Sequence, residues 1–145
     1  MRFMLIIKAD TNTEAGVLPS KELVAAMDEF NEKMVKAGVL LAAEGLHPSS
    51  KGARITFHGG GKRTVTDGPF TEAKELLGGY WMIQVKSKAE AIEWASRCPA
   101  SDNEVIEVRQ VQEFEEFTPE VQRAAADEPA LREQLEQGWP NAPRA

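Results

Sequence analysis

The sequence predicts an α+β fold, a ferredoxin-like split β-α-β, and three observations carry the prediction. The elements fall in the order β-α-β, hairpin, β-α-β, helix, which folds into one sheet with two helices on a single face. Both crossover helices show helical signatures, an apolar stripe in the first and a capping box in the second. The first strand is apolar throughout, so the sheet is expected to be covered on both faces.

Taken in order, Arg2 to Lys8 is a run of strand formers bounded by polar Ala9-Asp10-Thr11-Asn12. Ser20 precedes a helix with Leu23, Met27, Phe30 and Met34 along one stripe, and Gly38 is placed to end it. Val39 to Leu46 is the second strand, followed by a loop through His47-Pro48-Ser49-Ser50-Lys51-Gly52. Arg54 to His58 and Arg63 to Thr66 flank Gly59-Gly60-Gly61-Lys62 as a hairpin. In the corner Asp67-Gly68-Pro69, Asp favours turns and caps, Gly admits unusual φ and Pro fixes the next one. Thr71 is then expected to cap a short helix over Glu72 to Leu77, ended by Gly78.

Gly79 to Lys86 resumes the sheet. Ser87-Lys88-Ala89-Glu90 opens a helix with Ala91, Ile92 and Ala95 inward and Trp94 beside them, stopping at Cys98-Pro99. Val105 to Val111 is the last strand, and Thr118-Pro119 opens a C-terminal helical segment. That segment is expected to be capped again near Asp127, with Leu131 and Leu135 one turn apart and a loose tail from Trp139. The expected organisation is one domain over 1–117 with a helical extension over 118–145. A second copy of the chain, in a two-fold dimer, is the expected cover for the far sheet face, with the C-terminal helix as the other candidate.

Composition excludes several function classes. At 145 residues, 42% hydrophobic and 28% charged, the chain is an ordinary globular one. A net charge of -6 argues against a general nucleic-acid binder, although Lys51, Arg54, Lys62 and Arg63 cluster mid-chain and suit a small anion. Cys98 stands alone, so no intrachain disulfide forms. No apolar run reaches the ~20 residues of a membrane span, and the opening residues do not read as a signal segment. A soluble, cytoplasmic protein is expected.

Gly59-Gly60-Gly61-Lys62-Arg63-Thr64 is not a phosphate loop, because Thr56 stands where a glycine is needed and Arg63 where a Ser or Thr is needed. His47, His58 and Cys98 have no ligand spacing, so neither a metal nor a cofactor is expected. Cys98 reads as a small buried hydrophobe. His47, at a strand end before a proline, is either a solvated loop residue or a proton carrier. Asp67, Glu72, Lys74 and Glu75 crowd one corner, which is either a solvated face or a cluster able to perturb a carboxylate.

The run Thr66-Asp67-Gly68-Pro69-Phe70-Thr71-Glu72-Ala73-Lys74-Glu75, followed by Gly78-Gly79-Tyr80, resembles the DGPF group of the YciI-related proteins. Ala91-Ile92-Glu93-Trp94-Ala95 before Pro99, and Glu107-Val108-Arg109, are similar to that group as well. The resemblance spans Met1 to Phe117 and implies a dimeric α/β-barrel of ferredoxin-like subunits. It implies kinship with ring-opening and dehalogenating enzymes of muconolactone type, and an association of many members with alternative sigma factors. The smaller proteins of the family carry a proposed catalytic His early in the first helix and an Asp beside the proline after the second. Here the first helix has no histidine and Cys98 precedes Pro99, so that pair is absent.

Two readings follow. In one, a lyase- or isomerase-type enzyme uses Asp67 as acid/base, assisted by His47 or Glu72. Lys74, Arg54 and Tyr80 would hold its small anionic substrate. In the other, a non-catalytic homodimer senses a small molecule, linked to a sigma-factor response.

Overall fold

The computed structural model describes residues 1–72, 75–126 and 133. Among the described residues six strands form: β1 (Arg2–Lys8), β2 (Leu40–Gly45), β3 (Ala53–Phe57), β4 (Arg63–Asp67), β5 (Leu77–Gln84) and β6 (Ile106–Gln110). The helices α1 (Thr11–Glu14), α2 (Lys21–Lys36) and α3 (Lys88–Ser96) lie between strands, and α4 (Pro119–Ala126) follows the last one. The main sheet has the order β2-β5-β1-β6 with every neighbouring pair antiparallel. That is the topology a split β-α-β must adopt when both crossovers pack on one side.

The crossover helices form for the reasons their sequences give. The Ser20 hydroxyl accepts the Leu23 N–H at 3.1 Å, and Gly38 leaves α2 with φ of 71°. The α2 stripe delivers Phe30 and Met34 into the core, with Met27 packed against it. On α3 the Ser87 hydroxyl accepts the Glu90 N–H at 3.1 Å. The Glu90 carboxylate reaches the Lys86 N–H at 2.9 Å, one residue short of the Ser87 N–H that a capping box would satisfy.

The core lies between these helices and the near face of the sheet, around Phe3, Leu5, Trp81, Ile83, Ala91 and Trp94. Phe30 meets the Trp81 ring edge-on at 5.7 Å, and the indole N–H donates to Asn31 Oδ1 at 2.8 Å. On the far face Ile6 and Met82, which alternate with core residues on their strands, are 8% and 5% exposed, whereas Gln84 and Arg109 of the same face are exposed. Arg2 shares that face with Ile6 by alternation, and its guanidinium grips Glu113 at 2.8 Å through both oxygens. This holds the turn Phe114–Glu116 against the sheet.

Several local expectations are corrected. The helix expected over Glu72 to Leu77 is absent among the described residues. Glu72 takes φ of 68°, the Glu75 N–H closes a tight turn onto the Glu72 carbonyl at 2.9 Å, and Leu77 already begins β5. Gly78 is therefore a strand residue, because pairing with the sheet outweighs the local helical signal. Ile92 is 45% exposed where an inward position was expected; Ala91 and Trp94 face the core, with Ala95 packed against it. Asp10 and Thr11, expected in a loop, open the single turn of α1, with Asp10 Oδ1 accepting the Thr13 N–H at 2.7 Å. The cap near Asp127, the pair Leu131 and Leu135, and the tail from Trp139 lie outside the described residues.

Candidate functional site

The Asp67–Phe70 corner is built from its backbone outward. Gly68 packs so closely on the loop before β3 that a Cβ there would lie 1.7 Å from the Ser49 carbonyl oxygen. Only glycine fits. Its N–H donates to the Gly52 carbonyl at 3.0 Å, and the peptide it forms with Pro69 is cis. Ser49 is the knot of the crossing: its hydroxyl accepts the Phe70 N–H at 3.0 Å and donates to the Glu14 carboxylate. The same carboxylate accepts the Ser49 N–H at 3.0 Å. Glu14 on α1, the turn Ser49–Lys51 and the corner are thus tied through two residues, Glu14 and Ser49, that the sequence did not single out.

Around this scaffold the sequence-derived candidates are dispersed. Asp67 ends β4 opposite Ala53, is exposed, and accepts no hydrogen bond from any described residue, so it does not cap the corner. Arg54 lies on the other hairpin face, opposite Thr66, and stacks its guanidinium on the Phe70 ring at 4.0 Å. His47 and Glu72 are exposed. Lys74 lies outside the described residues. His58 spends its Nε2 on the Thr64 hydroxyl at 2.8 Å. Cys98 is half-buried, and burial, with Glu104 adding to it, pushes its thiol up to about 11, so the unreactive thiol dominates at neutral pH. Among the described residues, no group of three or more His, Cys, Asp or Glu is placed to hold a metal ion.

A concavity lies elsewhere among the described residues. A cavity of about 370 Å³ opens between the first half of α2 and the ends of β1, β2 and β5. Leu23, Val24, Met27, Ile7, Ala43 and Trp81 give it apolar walls. Lys8, Thr13, Asp28, Asn31, Glu44 and Glu104 give it polar groups. Its floor includes Gly78 and Gly79, where β2 and β5 close so tightly that a Cβ on Gly79 would lie 2.8 Å from the Glu44 carbonyl oxygen. Tyr80 is the single sequence-derived candidate among its lining residues.

Of the groups the sequence reading missed, Asn31 carried a signal. It sits four residues after Met27 and three before Met34, a polar side chain within the apolar stripe of α2. Lys8, Asp28, Glu44 and Glu104 carried none, because they come from four separated segments that only the fold brings around one cavity.

Comparison with known proteins agrees with the topology. The family model of the YCII-related domain matches residues 1–115. An uncharacterized protein of Rhizobium meliloti (strain 1021) is 40% identical over 69 residues, which cover 48% of this chain and 55% of the relative. The chain thus spans about half the length of that curated relative. Among the described residues no helix is long and apolar enough to cross a membrane. With a family match across most of its length and the sheet order that a split β-α-β requires, the chain belongs to the YCII-related domain family.

Proposed function

We propose that this protein is a small-molecule binder, acting as a homodimer, whose ligand enters the cavity beside α2 rather than the Asp67 corner. The observation that carries the reading is the cavity itself. It is a concavity of about 370 Å³, within the range of small-ligand sites, with apolar walls and a few convergent polar groups. Trp81 and Asn31 hold each other there, so part of the wall is pre-formed before a ligand arrives. With Asp28 and Glu104 against the single lysine Lys8 among the lining residues, the site suits a polar neutral or cationic molecule with an apolar body better than the anion expected from Arg54 and Lys74. The absence of the family's His-Asp pair supports sensing over turnover.

A second reading, proton transfer at Asp67, is favoured by one observation: its carboxylate is exposed and engaged by no described residue, hence available to a substrate.

The two are separated by a thermal-shift screen of small amines, neutral polar compounds, carboxylates and lactones against the parent, Val24→Trp and Asp67→Asn. Val24 lines the cavity and is 44% exposed, so a tryptophan can fill the mouth without entering the core. Ligand at 100 times its Kd stabilises the folded state by about 2.7 kcal/mol. The cavity reading expects this to vanish in Val24→Trp and persist in Asp67→Asn. The reverse pattern selects Asp67 and discards the cavity.

A further inference from the structure

The cavity beside α2 has a polar corner whose unused donors and acceptors specify a ligand. Val24, Met27, Asp28 and Asn31 follow one another at helical spacing along its wall, so two apolar and two polar side chains share one face of α2. The Asn31 amide has a fixed sense. Its Oδ1 accepts the Trp81 indole N–H at 2.8 Å, and an indole only donates, so the amide cannot be turned over. The Asn31 NH2 is therefore the unused end, and it donates to no described residue. Among the described residues no polar side-chain atom is both buried and unpartnered, so this NH2 opens on the cavity that Asn31 lines.

Asp28, three residues earlier, is an acid left without a cation. Its neighbours Glu29 and Glu32 hold Lys33 and Lys36 at 2.9 Å, whereas Asp28 pairs with no described residue. The other charges of the cavity balance. The Lys8 N–H bonds the Val105 carbonyl at 3.1 Å, which sets one lysine next to one carboxylate, Glu104. One Glu104 oxygen is further committed to the Ser101 N–H at 2.6 Å. A ligand thus meets an unpaired negative charge and, one turn on, an unpaired donor, beside the apolar Leu23 and Met27. Asp and Asn are short side chains, and Cβ atoms three residues apart on a helix lie about 5–6 Å from each other. The two groups they bind must therefore be close together in the ligand, as on adjacent carbons.

We infer that the cavity takes a protonated amine with a hydroxyl or carbonyl oxygen on the neighbouring carbon and an apolar body. Asp28 receives the ammonium and Asn31 donates to the oxygen. This names the ligand class of the cavity proposed above as the binding site, and rests on that reading.

The test uses leucinol, an aliphatic vicinal amino alcohol, against three analogues that each change one group. Isohexanol lacks the amine, isopentylamine lacks the hydroxymethyl group, and leucine carries a carboxylate in its place. Binding is read by proton–nitrogen NMR titration of the full chain, in which the Trp81 indole and Asn31 side-chain amide signals report from the cavity itself. Leucinol should move both signals. Isohexanol should bind about 10-fold more weakly, the size of a charge-assisted hydrogen bond, and isopentylamine about 5-fold more weakly, the size of a neutral one. Leucine should be weaker as well, because its carboxylate is brought near Asp28. Asp28→Asn, at an exposed helix position, should stay folded and lose the preference for leucinol over isohexanol. Any analogue binding as tightly as leucinol, or an Asp28→Asn variant that keeps the preference, overturns the ligand class and leaves the cavity standing. Silence from all four probes also overturns the class alone, since the cavity is judged by the broader screen above. Leucinol shifts that miss Trp81 and Asn31, or that survive Val24→Trp, overturn the cavity and the class together.

Discussion

At the scale of single residues, the Asp67–Phe70 corner divides its labour unevenly. Gly68 is fixed by space and Asp67 by very little, so adjacent positions should respond in opposite ways. Gly68→Ala places a methyl into the Ser49 backbone and should cost at least about 3 kcal/mol, because backbone on both sides must move. Asp67→Asn, at an exposed and unengaged side chain, should stay within about 0.5 kcal/mol. Urea unfolding of both variants measures the contrast, and equal losses would show the crossing at Ser49 to be soft.

The Arg2–Glu113 pair offers a pH test at the same scale. The Arg2 guanidinium holds the Glu113 carboxyl below its ordinary value of 4.5, chiefly by hydrogen bonding. A carboxyl with a depressed folded-state pKa contributes stability that is complete above the unfolded value and disappears as pH falls through the folded one. With side chains 26% and 32% exposed, solvent screens the pair, and about 0.5–1 kcal/mol is the expected size. Glu113→Gln should therefore lose that amount at pH 7 and converge on the parent as the pH falls through the folded-state pKa of Glu113. A gap between the two that persists at acid pH would mean that packing of the 114–116 turn, and not charge, is what Glu113 supplies.

At the scale of elements, burial rather than hydrophobicity decides which side chain matters. Met34 on α2 is fully buried within the core cluster, whereas Ile92 on α3 is 45% exposed although both are large and apolar. Met34→Ala should cost about 2–5 kcal/mol through lost contacts and a residual cavity. Ile92→Ala should cost well under 1 kcal/mol. Chemical denaturation of the two variants is the check, and comparable losses would mean that the outer face of α3 is covered in solution. Asn31 shows the converse: a polar group on the apolar stripe is tolerated because the Trp81 indole N–H, itself in need of an acceptor, is 2.8 Å away.

At the scale of the whole molecule, the six strands and both crossover helices are complete before Thr118. In the described part of the extension, α4 returns two hydrogen bonds to the body, from Gln122 to the Glu115 and Phe117 carbonyls. A chain ending at Phe117 should remain folded, with Tm lowered by no more than about 10 °C, because both layers of the core stay in place. An insoluble or unfolded product by circular dichroism would make the extension part of the domain.

The sequence determined the elements whose signals are local and periodic. Phe30 and Met34 on a 3.6-residue stripe, Ser20 and Ser87 as caps, Gly38 as a stop and the apolar run Phe3–Ile7 each fix a neighbour in the chain. The order of those elements, with right-handed crossovers, then leaves little choice of sheet. Contacts between distant segments belong to the tertiary structure. Glu72 takes a left-handed turn and Leu77 a strand because pairing with Lys8 in β1 outweighs a six-residue helical signal that could not nucleate alone. Gly68 looked like a turn glycine, yet it is required by a loop nineteen positions earlier, and Glu14 and Ser49 became structural only through that crossing. The cavity was hidden for the same reason: Lys8, Asp28, Glu44 and Glu104 face one space because β1, α2, β2 and the segment before β6 converge there, and no spacing along the chain encodes that convergence.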